Sequence, residues 1–97
     1  MPGYIVLAKF TQQGISDVQN APDRIAQFKA AAQKMGVTVV GFWATLGQYD
    51  YVVVVDAPDD KTMGALTIAT GRLGNVSTET MRAFSEDEFK EVIGKLG

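Results

Sequence analysis

The sequence predicts an α+β fold in which helices cover a four-stranded antiparallel sheet, and two observations carry that prediction. Residues 51–55, Tyr-Val-Val-Val-Val, form an unbroken apolar run whose β-branched side chains favour a strand. Because the run does not alternate with polar residues, we expect both of its faces to be buried, as in a central strand. Strand and helix patterns also follow one another in the order βαββαβ, with a further helix at the end.

The first part of the chain predicts a strand, a loop and a helix. Residues 4–10 are apolar enough for a second central strand, and residues 11–20 read as a polar loop that contains Gly14. A helix then starts with Asn20 as its N-cap and ends at Gly36, a residue type that suits a helix C-terminus. Its apolar stripe has helical spacing and comprises Ile25, Phe28, Ala32 and Met35.

A hairpin is predicted in the middle of the chain. Residues 37–46 form its first strand, and Gly47-Gln48 is expected to be a two-residue turn into the valine run. A second helix then begins after Pro58, with Asp59 or Asp60 as its cap. Gly74 closes that helix, and its inward residues are Met63, Leu66, Ala69 and Leu73.

The last part of the chain predicts an edge strand and a third helix. Residues 75–84 are polar at alternate positions, which is typical of a sheet edge. Ser85 and Glu88 have the spacing of a capping box, and Phe84 with Phe89 has that of a hydrophobic staple. The apolar stripe of this helix comprises Phe89, Val92, Ile93 and Leu96.

These elements together predict a ferredoxin-like arrangement of one domain, residues 1–97, with sheet order 4-1-3-2. The first and third strands are central in that order, in agreement with their apolar composition. Two helices cover one face of such a sheet and leave an apolar patch on the other, which indicates an interface. A homodimer that stacks sheet on sheet covers this patch most simply. The alternative is that the third helix folds over the patch.

The composition excludes several classes of function. A net charge of −2, with scattered lysines and arginines, argues against nucleic acid binding. The chain has no cysteine and no histidine, so we expect no transition-metal site, no haem and no other cofactor. No apolar stretch is long enough to span a bilayer and no signal peptide is visible, so a cytoplasmic protein is expected.

Two stretches resemble the GYD-domain family of small bacterial proteins. They are Leu46-Gly47-Gln48-Tyr49-Asp50 with the valine run that follows, and residues 74–84. Further similar positions are Gly14, Pro22-Asp23-Arg24, Gly36 and Asp56-Ala57-Pro58-Asp59-Asp60. The glycine, tyrosine and aspartate of the family name correspond to Gly47, Tyr49 and Asp50. The resemblance implies a dimeric α+β-barrel fold and no established activity.

The topology gathers candidate site residues at the two ends of the sheet. One end is expected to hold Gly47, Tyr49, Asp50, Phe10, Arg24 and Asn75, and the other Tyr4, Asp56, Asp59, Asp60 and Arg82. Arg24, or the opening amides of the first helix, is the expected partner of Asp50. The three aspartates could in principle bind a hard cation, but we favour the alternative, a strand end followed by a helix N-terminus that prefers negative charge. Arg82 is expected to pair with one of them.

Aromatic residues and the N-terminus offer two further hypotheses. Trp43, Tyr49 and Tyr51 could line a cavity between dimer sheets that takes a small apolar ligand, but plain core and interface packing is the favoured interpretation. Pro2 would present a basic amine only if Met1 were removed.

Two functions compete on this sequence, and a third possibility, purely structural assembly, predicts no cavity at all. The first is a non-catalytic binding or regulatory module, a dimer with a small apolar cavity between sheet and helices. Its ligand-binding candidates are Trp43, Tyr49, Asp50, Tyr51 and Arg82, and Gly47, Arg24 and Asn75 have structural roles. The second is a cofactor-independent oxygenase or isomerase that uses Tyr49, Asp50 or Arg82. No spacing pairs a nucleophile with a base, so no catalytic residue is assigned. A buried carboxylate facing a cavity would favour the enzyme.

Overall fold

The computed structural model describes residues 1–97 and contains four strands and four α-helices. The strands are β1 (Gly3–Phe10), β2 (Thr38–Ala44), β3 (Tyr51–Asp56) and β4 (Val76–Ala83). The helices are α1 (Gln12–Ser16), α2 (Ala21–Lys34), α3 (Asp60–Gly71) and α4 (Glu86–Gly94). A 3₁₀ helix spans Val18–Asn20. No helix has the length and apolar character needed to cross a membrane.

The four strands form one antiparallel sheet in the order β2-β3-β1-β4, which confirms the predicted topology. Because side chains alternate along a strand, the register assigns each residue to one of two faces. The helix-covered face carries the buried residues Tyr4, Val6, Ala8, Val53 and Val55. The opposite face, called the open face here, carries Ile5, Leu7, Val52, Val54, Trp43 and Met81.

The core lies between the helix-covered face and helices α2 and α3. The two predicted helix stripes supply it, with Ala32 from α2 and Met63 and Leu66 from α3 all buried. Leu73 departs from the prediction: α3 ends at Gly71, and the Leu73 side chain beyond it is 61% exposed.

The helix starts follow the predicted capping pattern in two of three cases. The Asp59 side chain accepts a hydrogen bond from the Thr62 N–H at 2.7 Å. Ser85 and Glu88 form the reciprocal bonds of a capping box at the start of α4. Asn20 precedes α2 as expected, but its side chain donates to the Asp17 carboxylate at 2.7 Å and caps no helix amide.

The prediction of a loop over residues 11–20 is wrong. The Thr11 hydroxyl accepts from the Gly14 N–H at 3.1 Å and so starts the short helix α1. Thr11 also donates its hydroxyl to the Gly74 carbonyl at 2.5 Å and its N–H to the Asn75 carbonyl at 3.1 Å. These long-range bonds, which the polar composition did not reveal, fix the segment in place.

The hairpin between β2 and β3 is present, but its connection is longer than the two-residue turn predicted. It covers residues 45–50, and the Thr45 N–H donates to the Asp50 carbonyl at 2.8 Å across its base. Gly47 lies in this loop with φ +105°, so the expected positive φ is confirmed.

The open face is not covered within the chain. Val52 and Val54 of β3 are only half-buried, so the expectation that both faces of this strand are buried is not met by one chain alone. Helix α4 does not fill the gap, because none of its residues is buried. The predicted stripe, which comprises Phe89, Val92 and Ile93 in α4 and Leu96 just beyond its end, is 37–79% exposed. Two apolar surfaces of the chain therefore have no partner.

Candidate functional site

A cavity of about 410 Å³ lies between the helix-covered face of the sheet and helices α2 and α3. Of its 18 lining residues, 13 are hydrophobic. Sheet residues such as Val6, Ala8 and Val53 form its floor, and Ile25, Phe28 and Leu66 come from the helices. A mainly apolar cavity of this volume falls in the range of small-molecule sites.

Aromatic rings form one continuous wall of this cavity. The ring centroids of Phe10 and Tyr51 are 5.2 Å apart, those of Tyr51 and Phe42 are 5.0 Å apart, and those of Phe42 and Phe28 are 6.3 Å apart. All four residues line the cavity. Their edge-on and tilted arrangements are favourable for aromatic pairs, so the wall is a preformed surface.

The polar lining residues include Arg24, from the first turn of α2, and Asn75, just before β4. The Arg24 guanidinium donates to the Asp17 carbonyl at 2.9 Å and to the Gly14 carbonyl at 3.1 Å. It also pairs with the Asp17 carboxylate at 3.3 Å. Asn75 accepts the Thr11 N–H through its carbonyl. The residues around α1 thus hold both polar groups in place.

Besides Arg24, the titratable residue of the cavity lining is Tyr51, through its phenol hydroxyl. Burial raises the pKa of its hydroxyl above the ordinary value of 10.0, the Arg24 charge opposes this shift and Asp50 adds to it. The phenol is therefore neutral at pH 7 and serves as a hydrogen-bonding group, since a raised pKa makes it unsuited to act as a base. The charged residue of the lining is Arg24.

At the first predicted end of the sheet, Asp50 and Arg24 have partners other than the predicted ones. The Asp50 carboxylate accepts the Phe10 backbone N–H at 2.8 Å. The predicted partners of Asp50, Arg24 or the opening amides of the first helix, are therefore wrong, because Arg24 is held by Asp17 and the Gly14 carbonyl. Sequence spacing alone gave no sign that the end of β1 would present an unpaired amide to Asp50.

The three aromatic candidates do not line one cavity. Tyr51 faces the cavity, whereas Trp43 lies opposite Val52 on the open face. The Tyr49 hydroxyl donates to the Glu79 carboxylate at 2.7 Å, and the Lys9 ammonium lies 5.3 Å from the Tyr49 ring centroid. Because Glu79 and Lys9 are open-face residues of β4 and β1, Tyr49 belongs to the rim of that face.

The second predicted end of the sheet is also present, and Arg82 has a different partner there. The Tyr4 hydroxyl donates to the Asp60 carboxylate, which raises the pKa of Tyr4. Arg82 pairs with Glu88 of α4 at 3.7 Å, and its guanidinium lies 4.9 Å from the Phe84 ring centroid. The predicted pairing of Arg82 with an aspartate of this end is wrong.

The metal hypothesis at this end finds no cluster to support it. Asp59 caps α3, Asp60 binds the Tyr4 hydroxyl, and no group of three acidic side chains stands close enough to hold an ion. Arg82 does not line the cavity, and neither does Asp50, so these two ligand-binding candidates lie outside it.

Sequence reasoning missed most of the cavity. Phe28 was expected only as part of an apolar helix stripe, and neither Phe42 nor Thr78 was among the candidate site residues. A signal did exist for Phe28, which lies on the apolar stripe of α2. The space itself depends on how far α2 and α3 stand from the sheet and from each other, which periodicity does not show.

Comparison with known proteins places this chain among small α+β proteins. The GYD domain family model matches residues 4–93. A relative from Thermus thermophilus, the "glutamine synthetase and cystathionine beta-lyase binding protein", is 36% identical over 84 residues, which are 86% of this chain and 88% of the relative.

Two solved structures share the fold at low sequence identity. MtbAldR superposes with a TM-score of 0.69 at 10% identity, over 88% of this chain and 52% of the other. The feast or famine regulatory protein of M. tuberculosis, complexed with L-methionine, gives 0.66 at 16% identity, over 88% and 51%. The chain thus spans about half the length of these two proteins.

Proposed function

Because the chain belongs to the GYD domain family, we propose that it is a one-domain, non-catalytic regulatory module that binds a small, mainly apolar molecule. The observation that carries this proposal is the cavity of about 410 Å³, with 13 hydrophobic residues among its 18 lining residues. Its aromatic wall and fixed polar residues are what a preformed small-molecule site requires.

Binding fits the lining of the cavity better than catalysis does. The titratable residues of the lining are Arg24 and Tyr51. A guanidinium carries hydrogen-bond donors and no acceptor, and burial keeps the Tyr51 phenol neutral by raising its pKa. Neither group is therefore suited to take up a proton near pH 7, as an oxygenase or isomerase of the cofactor-independent kind would need.

The regulatory part of the proposal concerns a protein partner. The Thermus thermophilus relative is named for binding glutamine synthetase and cystathionine β-lyase, and it matches this chain over most of both lengths. We propose that this chain also docks on a metabolic enzyme and that the small molecule modulates docking. Purified glutamine synthetase and cystathionine β-lyase, immobilised separately, test this directly; failure to bind either enzyme, with or without ligand, would remove these two partners.

A homodimer is proposed for the open face. Two central strands present half-buried Ile5, Leu7, Val52 and Val54 there, and patches of that kind mark interfaces. Val52→Lys should shift the sedimentation coefficient from dimer to monomer, because it buries a charge at the interface. Ile68→Lys is the control, since Ile68 on α3 is 69% exposed. A parent protein that sediments as a monomer at micromolar concentration would refute the dimer.

The cavity proposal is tested by filling the space. Ala69 of α3 lines the cavity, whereas Ala65, one turn earlier on the same helix, is exposed and outside the lining. In a thermal-shift screen, a ligand at a hundred times its Kd should stabilise the parent by about 2.7 kcal/mol. Ala69→Phe should abolish that shift and Ala65→Phe should keep it. Equal shifts in both variants would place the ligand elsewhere.

A further inference from the structure

We infer that the molecule held in the cavity is a carboxylic acid with an apolar body and no ammonium group, its carboxylate bound by Arg24 and Tyr51. This inference rests on the proposed binding function, and it adds the chemical class of the ligand. Three features of the cavity support it: the position of its one cation, the hydrogen-bonding capacity left on two side chains, and the absence of carboxylates from the lining.

In the ion pair of Arg24 and Asp17, the guanidinium faces the cavity and the carboxylate faces solvent. The Arg24 side chain is 20% exposed and lines the cavity, whereas the Asp17 side chain is 57% exposed and lies outside the lining. Water screens the exposed carboxylate more strongly than it screens the cation in the apolar surroundings. The cavity end beside Arg24 is therefore suited to a negative charge.

Hydrogen-bonding capacity remains at this end. A guanidinium has five N–H donors, and Arg24 uses three of them, for the Asp17 carbonyl, the Asp17 carboxylate and the Gly14 carbonyl. The Tyr51 hydroxyl has no hydrogen-bond partner within the chain, and it lines the same cavity as Arg24, whose charge opposes the rise in the pKa of that hydroxyl. Two guanidinium donors and one hydroxyl thus remain for a ligand, a set that suits carboxylate oxygens.

The lining argues against an amino acid. It contains neither aspartate nor glutamate, so a buried ammonium group would have no counter-charge. Asp50 and Asp17, which bond to lining residues from outside the cavity, are already engaged, Asp50 with the Phe10 N–H and Asp17 with Arg24 and Asn20. A deaminated acid meets the apolar wall and the cation without this cost.

The experiment compares matched probes by isothermal titration calorimetry on the full chain. Hydrocinnamate, hydrocinnamyl alcohol and phenylalanine share one aryl body, and octanoate with octanol repeats the acid and alcohol comparison on an alkyl body. At least one acid should bind about tenfold or more tightly than its alcohol, as expected for a charge-assisted bond to Arg24. Hydrocinnamate should also bind more tightly than phenylalanine.

The outcomes separate this inference from the function on which it rests. If each alcohol binds as tightly as its acid, and Ala69→Phe abolishes that binding, the cavity function stands and the carboxylate is refuted. If phenylalanine binds more tightly than hydrocinnamate, the exclusion of an ammonium group is refuted. If none of the probes binds, both the inference and the cavity function are contradicted.

Charge variants test the role of Arg24. Arg24→Gln should remove the preference for acid over alcohol, and a melting curve should accompany it because Arg24 also supports the Gly14 carbonyl. Asp17→Asn keeps the Asp17 backbone carbonyl that accepts from Arg24, and it should tighten acid binding because it removes the competing carboxylate. Asp23→Asn removes an equal charge from the exposed first turn of α2 and is the control. An unchanged acid preference in folded Arg24→Gln would overturn the assignment.

Discussion

Replacing Gly14 with alanine is expected to separate α1 from the start of β4. Gly14 is buried, and a Cβ at this position would lie 1.9 Å from the Asn75 carbonyl oxygen and 2.9 Å from the carbonyl carbon. Both are backbone atoms, so no side-chain rotation relieves the overlap. The contact also carries two hydrogen bonds, from Thr11 to the Gly74 and Asn75 carbonyls.

The magnitude follows from these two effects. Overpacking costs about 1–3 kcal/mol, and each of the two hydrogen bonds contributes about 0.5–1.5 kcal/mol. Gly14→Ala should therefore reduce the free energy of unfolding by about 2–6 kcal/mol if both bonds are lost. For a domain of this size, that lowers Tm by roughly 10 °C or more, measured by circular dichroism. Because Asn75 lines the cavity, ligand binding should weaken as well.

Gly64→Ala is the matched control for this substitution. Gly64 lies inside α3, and a Cβ there would meet no atom within 4 Å. Alanine favours a helix interior over glycine by up to about 1 kcal/mol, so this variant should melt at a higher temperature than the parent. The reasoning is refuted if Gly14→Ala melts within a degree or two of the parent, because α1 would then not depend on this close contact.

Three further predictions concern the hairpin loop and α4. Asp50→Ala should destabilise by about 1–3 kcal/mol in urea unfolding, because it leaves the Phe10 N–H without its acceptor, and Asp50→Asn should cost less; equal losses in both would show that the acceptor oxygen is not what matters. Gly47→Ala should destabilise by about 1 kcal/mol or more, because φ is +105° there although the space is open; unchanged unfolding would mean that the loop shifts freely. The hydrogen bond from the Ser85 N–H holds the pKa of Glu88 below its ordinary value of 4.5. The ionised Glu88 carboxylate therefore stabilises the start of α4 fully above pH 4.5, and this stabilisation is lost as the pH falls through the lowered pKa. The protection of the Ser85 amide against hydrogen exchange, relative to its intrinsic exchange rate at each pH, should therefore fall in acid. In Glu88→Gln this protection should not change with pH.

Local patterns determined the elements that the sequence predicted correctly. The valine run of β3, the capping box of Ser85 and Glu88, and the Asp59 cap each depend on residues a few positions apart. The sheet order followed from the βαββαβ succession of elements, with which the apolar composition of two strands agreed, and the structure confirms it.

Contacts between distant parts of the chain account for what the sequence did not predict. Helix α1 depends on the carbonyls of Gly74 and Asn75, about 60 residues away in sequence, and its own composition resembles a loop. Arg24 forms an ion pair with Asp17, an acidic residue in a segment that was expected to be irregular. The cavity is a gap between elements, and a gap has no sequence pattern of its own.

The measurement that tests the central claim most directly is a ¹⁵N chemical-shift titration with the molecule that gives the largest thermal shift. If the cavity is the binding site, the amide shifts should concentrate on its lining, at Phe28, Tyr51 and Leu66, and should be absent from Ala69→Phe. Shifts that centre instead on the open face, at Ile5, Trp43 and Val54, would contradict the account and make the exposed sheet the binding surface.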